Sequence, residues 1–190
     1  MRNFSCTHCG TKVYFKNVKC LKCGHALGFD AQALTIVALV PGSDATLYKR
    51  VTGNTRDQLR YCSNTFHGAC NWLTRADDAN TLCVACDLNR TIPNLAEPGN
   101  LQAWQDLERA KKRLVYSLLR FKLPVDTSPA PPGRLVFDFT RNTTTGHLDG
   151  VITINIMEAD AVERERQRQH FDEPYRSLLG HLRHESGHYY

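Results

Sequence analysis

Cys6-Thr7-His8-Cys9 and Cys20-Leu21-Lys22-Cys23-Gly24-His25, with ten residues between the two knuckles, decide how the first part of this chain folds. One Cys-x-x-Cys bend offers two thiolates, and two bends supply the four soft ligands of a tetrahedral zinc ion. Cys6, Cys9, Cys20 and Cys23 therefore predict a closed structural zinc site. Without it so short a segment buries too little apolar surface to fold. Free buried thiols and a redox pair fit less well, because neither knuckle sits at a strand-to-helix turn. Val13, Tyr14, Phe15 and Val18 predict a short strand or hairpin between the knuckles. His8 and His25 flank the cysteines and are not assigned to metal.

Outward from there, the 190 residues are 42% hydrophobic and 23% charged, which excludes fibrous and wholly disordered chains. The longest apolar run, around Leu34 to Val40, is far short of the roughly 20 residues that cross a bilayer. No basic, apolar leader follows Met1, so a soluble chain without a membrane partner is expected. Eight cysteines in paired spacing, without a secretory segment, favour metal in a reducing compartment over disulfides. The formal charge of +5 falls to about +1 once eight thiolates hold two zinc ions. Its distribution is uneven: residues 1–60 carry nine Lys or Arg against three Asp or Glu. Lys12, Lys16, Lys19 and Lys22, with Tyr14 and Phe15 to stack a base, admit weak nucleic-acid binding by this basic segment.

Leu34 to Val40 and Leu47 to Val51 read as strands around a Pro41-Gly42-Ser43-Asp44 turn. Cys62, Cys70, Cys83 and Cys86 follow, spaced seven, twelve and two apart, and predict a second four-cysteine zinc site; His67, between the first two, could replace one cysteine but reads as a solvated loop histidine and is not assigned to metal. Leu101, Trp104, Leu107, Leu114, Val115, Leu118 and Leu119 recur at helical spacing, with Asn100 as cap. Pro124 to Gly133 reads as a linker or long loop. Leu135–Phe139 and Gly150–Ile156 read as two strands joined by a threonine-rich turn containing Gly146. A charged helix is expected from near Glu158 to Gln169, and a last helix from Tyr175 to Tyr190 opened by Pro174.

That last helix carries His184-Glu185-Ser186-Gly187-His188, an HExxH pattern. Residues four apart share a helix face, so His184 and His188 can reach one zinc ion. Glu185, offset by about 100°, is placed as the base that takes a proton from water. The plainer alternative is a polar helix face with two surface histidines. His181 lies on nearly the same face but about 10.5 Å along the axis from His188, too far to share the ion. It is left as a group that supports the ligands from behind, a substrate-side group or a surface residue. A catalytic zinc ordinarily takes three protein ligands. Asp172 and Glu173 precede the helix and could fold back, but the commoner solution is a later helix, so with two residues after His188 the third is expected from a longer protein and the catalytic site here is expected to be incomplete.

These cysteines, the Asn89-Arg90-Thr91-Ile92-Pro93 run and Gly180–Tyr190 together make the chain resemble the bacterial zinc-binding metallopeptidases, in which zinc-ribbon segments precede a zincin-like domain. The resemblance implies an α+β protein: a small zinc-ribbon (rubredoxin-like) region over residues 1–96, then a truncated zincin-like domain over 97–190. It implies a cytoplasmic bacterial peptidase that hydrolyses a peptide or protein substrate, with His184 and His188 on the catalytic zinc, Glu185 as base and an acidic third ligand further on. In zincins a strand edge beside the active-site helix pairs with extended peptide, which makes Gly150–Ile156 the best candidate for that edge, with a plain core strand as the equal alternative. Tyr189 and Tyr190 are placed either in the cleft or in helix packing. The competing function is a binding module whose ribbons recognise protein or nucleic acid.

Overall fold

The computed structural model describes residues 3–53, 57–125, 133–141, 143–170, 172 and 176–190. They form two compact units, residues 1–83 and 84–190.

In the first unit, β1 (Phe4–Ser5) and β2 (Lys12–Val13) pair across the first knuckle. A five-stranded antiparallel meander follows: β3 (Ala26–Asp30), β4 (Thr35–Pro41), β5 (Tyr48–Arg50), β6 (Leu59–Tyr61) and β7 (Leu73–Arg75). Chain order equals sheet order, as short connections between antiparallel neighbours require. Two clusters fill it. Phe4, Phe15, Phe29 and Trp72 pack ring on ring, with Phe29 and Trp72 centroids 4.5 Å apart; Val37, Leu39, Leu59 and Leu73 form the other. Gly28 is where the sheet comes closest: a Cβ there would meet Leu73 Cδ2 at 2.6 Å. Asp30, 5% exposed, closes the β3–β4 turn by accepting from the Gln32 and Ala33 amides, and Arg50 Nη2 donates to it at 2.6 Å. Phe15, paired above with Tyr14 as a stacking surface, belongs to the core at 6% exposure, so only Tyr14 faces solvent.

The second unit has a mixed sheet in the order β10-β11-β9-β8. The strand β8 (Asn89–Thr91) runs parallel to β9 (Val136–Thr140), the two being joined through α1 (Asn100–Arg120). The strand β11 (Val151–Asn155) is parallel to β9, and β10 (Gly146–Leu148) lies antiparallel on the outside of β11. Gly150–Ile156 is therefore an interior strand, and the free edge on that side is β10. The DG step makes this hairpin: Asp149 and Gly150 take φ of 47° and 84°, the positive pair of a tight two-residue turn. Gly150 is also irreplaceable on space, since a Cβ would meet Arg134 O at 2.6 Å.

Trp104, Leu107, Leu114 and Val115 of α1, with Phe137, Phe139, Ile152 and Ile154 of the sheet, are all at most 2% exposed. Leu101 departs from its expected face and is 38% exposed. Asn100 does not cap α1. Gly99, at φ 82°, occupies that position, and Asn100 Nδ2 instead ties the helix start to Asn94 O at 2.9 Å. Past β11 the chain makes one 3-10 turn (Ile156–Ala159) and then α2 (Ala161–His170). The helix thus starts later than Glu158. Asp160 caps it, accepting from the Val162 and Glu163 amides at 2.7 and 3.1 Å. The last helix, α3 (Leu178–Tyr189), starts at Ser177, whose hydroxyl accepts from Gly180 N at 3.1 Å. Pro174 and Tyr175, read as its opening, lie outside the described residues, as does most of the Pro124–Gly133 linker. The helix α3 packs on α1, β10 and β11. No helix among the described residues is long and apolar enough to cross a membrane.

Candidate metal centres

Hairpins hold the cysteines in place. Gly10 and Gly24, at φ 72° and 75°, close the knuckles by donating back to the Cys6 and Cys20 carbonyls. Cys6 and Cys23 Sγ end 3.7 Å apart, and Cys9 and Cys20 Sγ 3.6 Å apart. Four thiolates around zinc at about 2.3 Å stand about 3.8 Å from one another, so this donor set has the spacing the ion requires and is far beyond disulfide length. The thiols respond unequally to one another. Hydrogen bonds from the Thr11 side chain and backbone draw Cys9 down to about 6. The His25 backbone favours the Cys23 thiolate, but burial and the sulfurs of Cys20, Cys9 and Cys6 outweigh it and push that thiol up to about 12. A divalent cation is what lets all four lose their protons together.

The second set converges as well. Cys62, Cys70, Cys83 and Cys86 are all buried with their sulfurs within 4.8 Å of one another, and Cys70 and Cys83 Sγ are 3.7 Å apart. Amides support the sulfurs: Trp72 N donates to Cys70 Sγ and Cys83 N to Cys62 Sγ, both at 3.4 Å. His67 is not part of this group.

On α3 the two imidazoles meet. His184 and His188 Nε2 lie 3.3 Å apart with their rings crossed at 89°. Two nitrogens on one zinc at about 2.0 to 2.1 Å are separated by about 3.3 Å, so the pair fits a shared ion. Glu185 between them is 7% exposed. Among the described residues no third ligand atom joins this pair in a cluster. A further imidazole, His147 of β10, stacks 6.5 Å from His188, and its Nε2 accepts from Gly150 N at 3.1 Å. Tyr190 turns away from the pair: its hydroxyl donates to Pro124 O at 2.6 Å.

His181 has a role the sequence did not show. Its Nδ1 is 2.5 Å from Glu158 Oε2, and Glu158, 3% exposed, also accepts from the Thr145 hydroxyl and faces Arg176 Nη2 at 3.8 Å. This pair ties the turn before α2 to α3 one helical turn ahead of His184. Burial pushes the Glu158 carboxyl up, but His181, Thr145 and Arg176 together outweigh it and hold it below its ordinary 4.5. A depressed carboxyl contributes stability that is full above its unfolded value and is lost as pH falls through the folded one. Glu158→Gln should therefore loosen α3 at neutral pH, seen as faster amide exchange over Leu178–Tyr189. The difference from the parent should close as pH drops below about 4.5, and an equal difference at every pH would exclude the carboxylate as its source.

Two family models match. One, described as "Putative zinc-binding metallo-peptidase", covers residues 100–190, and a zinc-ribbon domain covers residues 3–97. Uncharacterized proteins of Mycobacterium tuberculosis and Mycobacterium bovis are 38% identical to the chain over 195 residues, covering 100% of it and 53% of their own length. The chain thus spans about half the length of the curated relatives it matches. No solved structure matches it.

Proposed function

The chain belongs to the family of bacterial zinc-binding metallopeptidases with an N-terminal zinc ribbon, and from that premise we propose that α3 carries the catalytic zinc site of an amide hydrolase. The observation that carries this reading is the 3.3 Å approach of His184 and His188 Nε2 on a helix lying beside an open strand edge. Both cysteine clusters are read as structural zinc sites, the first in a rubredoxin-like ribbon, and the second unit as zincin-like.

His184 and His188 would hold a zinc ion, which when bound would supply Lewis acidity to a water and to a carbonyl oxygen. The rest falls to the protein. His184 and His188 offer neutral Nε2 lone pairs. Glu185 accepts the water's proton at its carboxylate and returns it to the leaving amine nitrogen. The outer edge of β10 offers backbone groups to an extended peptide, the pairing used in strand addition. A cleft of about 730 Å³ runs along this strand, lined by Thr144, Gly146, His147, Leu148 and Asp149. The third protein ligand is assigned to the protein at the length its gene encodes.

Glu185→Gln tests the role of the base. In the gene-length protein it should lower the turnover of an unstructured peptide substrate by about 10²–10⁴-fold with zinc content unchanged. Undiminished turnover would remove Glu185 from the mechanism.

A further inference from the structure

The first four-cysteine cluster has neighbours that its own chemistry does not use. His8 and His25 rings lie with centroids 4.2 Å apart and planes tilted by 35°, and one ligand atom from each lies within 4.8 Å of the other and of Cys23 Sγ. His8 is exposed; Cys23 and His25 are half-buried, so the group opens to solvent. The sequence keeps these histidines together: each sits within two residues of a knuckle cysteine, and the paired knuckles bring their bends side by side. A second observation points to a ligand. His25 Nδ1 is buried and makes no hydrogen bond among the described residues. A buried ring nitrogen left so is unfavourable, and a metal ion would satisfy it.

We propose that His8, His25 and Cys23 form a further metal site at the ribbon tip, taking a divalent ion of the zinc class and sharing the Cys23 sulfur with the four-cysteine cluster. Imidazole and thiolate are the donors such an ion prefers. A thiolate sulfur keeps lone pairs after binding one cation and can bridge to a second. The charge is favourable too: zinc on four thiolates leaves about −2 on the cluster, which attracts another cation to its solvent side. Three protein donors leave a position open, so this ion exchanges readily, in contrast to the closed cluster beneath it. The inference is independent of the catalytic reading, because none of its residues lies on α3.

The test uses the chain carrying His184→Ala and His188→Ala, with both four-cysteine clusters filled, so that the α3 pair contributes nothing. Zinc is titrated in while binding is followed by calorimetry and the imidazole nitrogens by NMR. One further equivalent should bind, dialyse away, and shift the ring signals of both His8 and His25. Adding His8→Ala and His25→Ala should abolish that equivalent and leave the two tight ions in place. No further equivalent, or one that leaves the His8 and His25 signals unmoved, would overturn the site. So would an equivalent that persists in the quadruple variant. If the added substitutions cost the tight ions, the imidazole titration of the double variant decides.

Discussion

Cys20→Ser should remove one tightly held zinc ion per chain and unfold the ribbon around it. Cys20 is 1% exposed, its sulfur is 3.6 Å from Cys9, and its carbonyl accepts the Gly24 amide that closes the second knuckle. Zinc binding to small cysteine and histidine folds is worth about 10–16 kcal/mol at neutral pH. That matches or exceeds the roughly 5–15 kcal/mol net stability of a whole domain. The paired strands β1 and β2 are two residues each, too short for strand pairing alone to hold their register. Amide protection should vanish over Phe4–Val13 and weaken across β3, whose Phe29 packs on Phe4 and Phe15. The same loss should follow a strong chelator added to the parent. Retained protection in a zinc-depleted variant would mean that the aromatic cluster alone folds this segment.

Lys111→Met should cost about 3–5 kcal/mol, the usual result of stripping one partner from a buried ion pair. Lys111 and Glu108 are both fully buried in α1, with Nζ 2.6 Å from Oε1. Lys111 also donates to Asn89 of β8 and lies over the Phe137 and Phe139 rings, 5.6 and 5.4 Å from their centroids. Glu108 in turn accepts from Asn89 Nδ2 at 2.8 Å and lies 3.7 Å from Cys86 Sγ. Burial pushes the Glu108 carboxyl up, Lys111 opposes this, and Cys86 adds to it. Removing the ammonium therefore takes away the strongest group favouring this carboxylate and leaves it only Lys112 and the Asn89 amide. Adding Glu108→Gln should recover most of the loss, because no uncompensated charge then remains. Denaturant unfolding of the three variants reads the cycle, and a double variant no better than Lys111→Met would show that lost packing, not charge, sets the cost.

What the sequence disclosed and what it hid divide along contact range. Knuckles, the α1 stripe from Trp104 to Leu118 and the HExxH spacing are local patterns, fixed by covalent geometry and helical pitch. The strand β10 was hidden because it is three residues long and its Leu148 is 72% exposed. Only the Asp149-Gly150 step signalled it, and that step was readable as a hairpin turn. The structure places β10, not β11, at a free edge of this sheet. Lys111 and Glu108 are charged residues at i,i+3 that no local pattern marks as buried, yet both side chains are fully enclosed. Glu158 and His181 lie 23 residues apart, and no spacing rule connects them. The meander strands β6 and β7 carry arginines within three-residue segments, too short and too polar for the period-2 signal to show.

The most direct measurement is zinc per chain in the gene-length protein after gel filtration, with and without His184→Ala and His188→Ala. Three tightly held ions, falling to two in the variant while both four-cysteine clusters stay loaded, are expected if α3 binds the catalytic metal. The same zinc content in both proteins would contradict it.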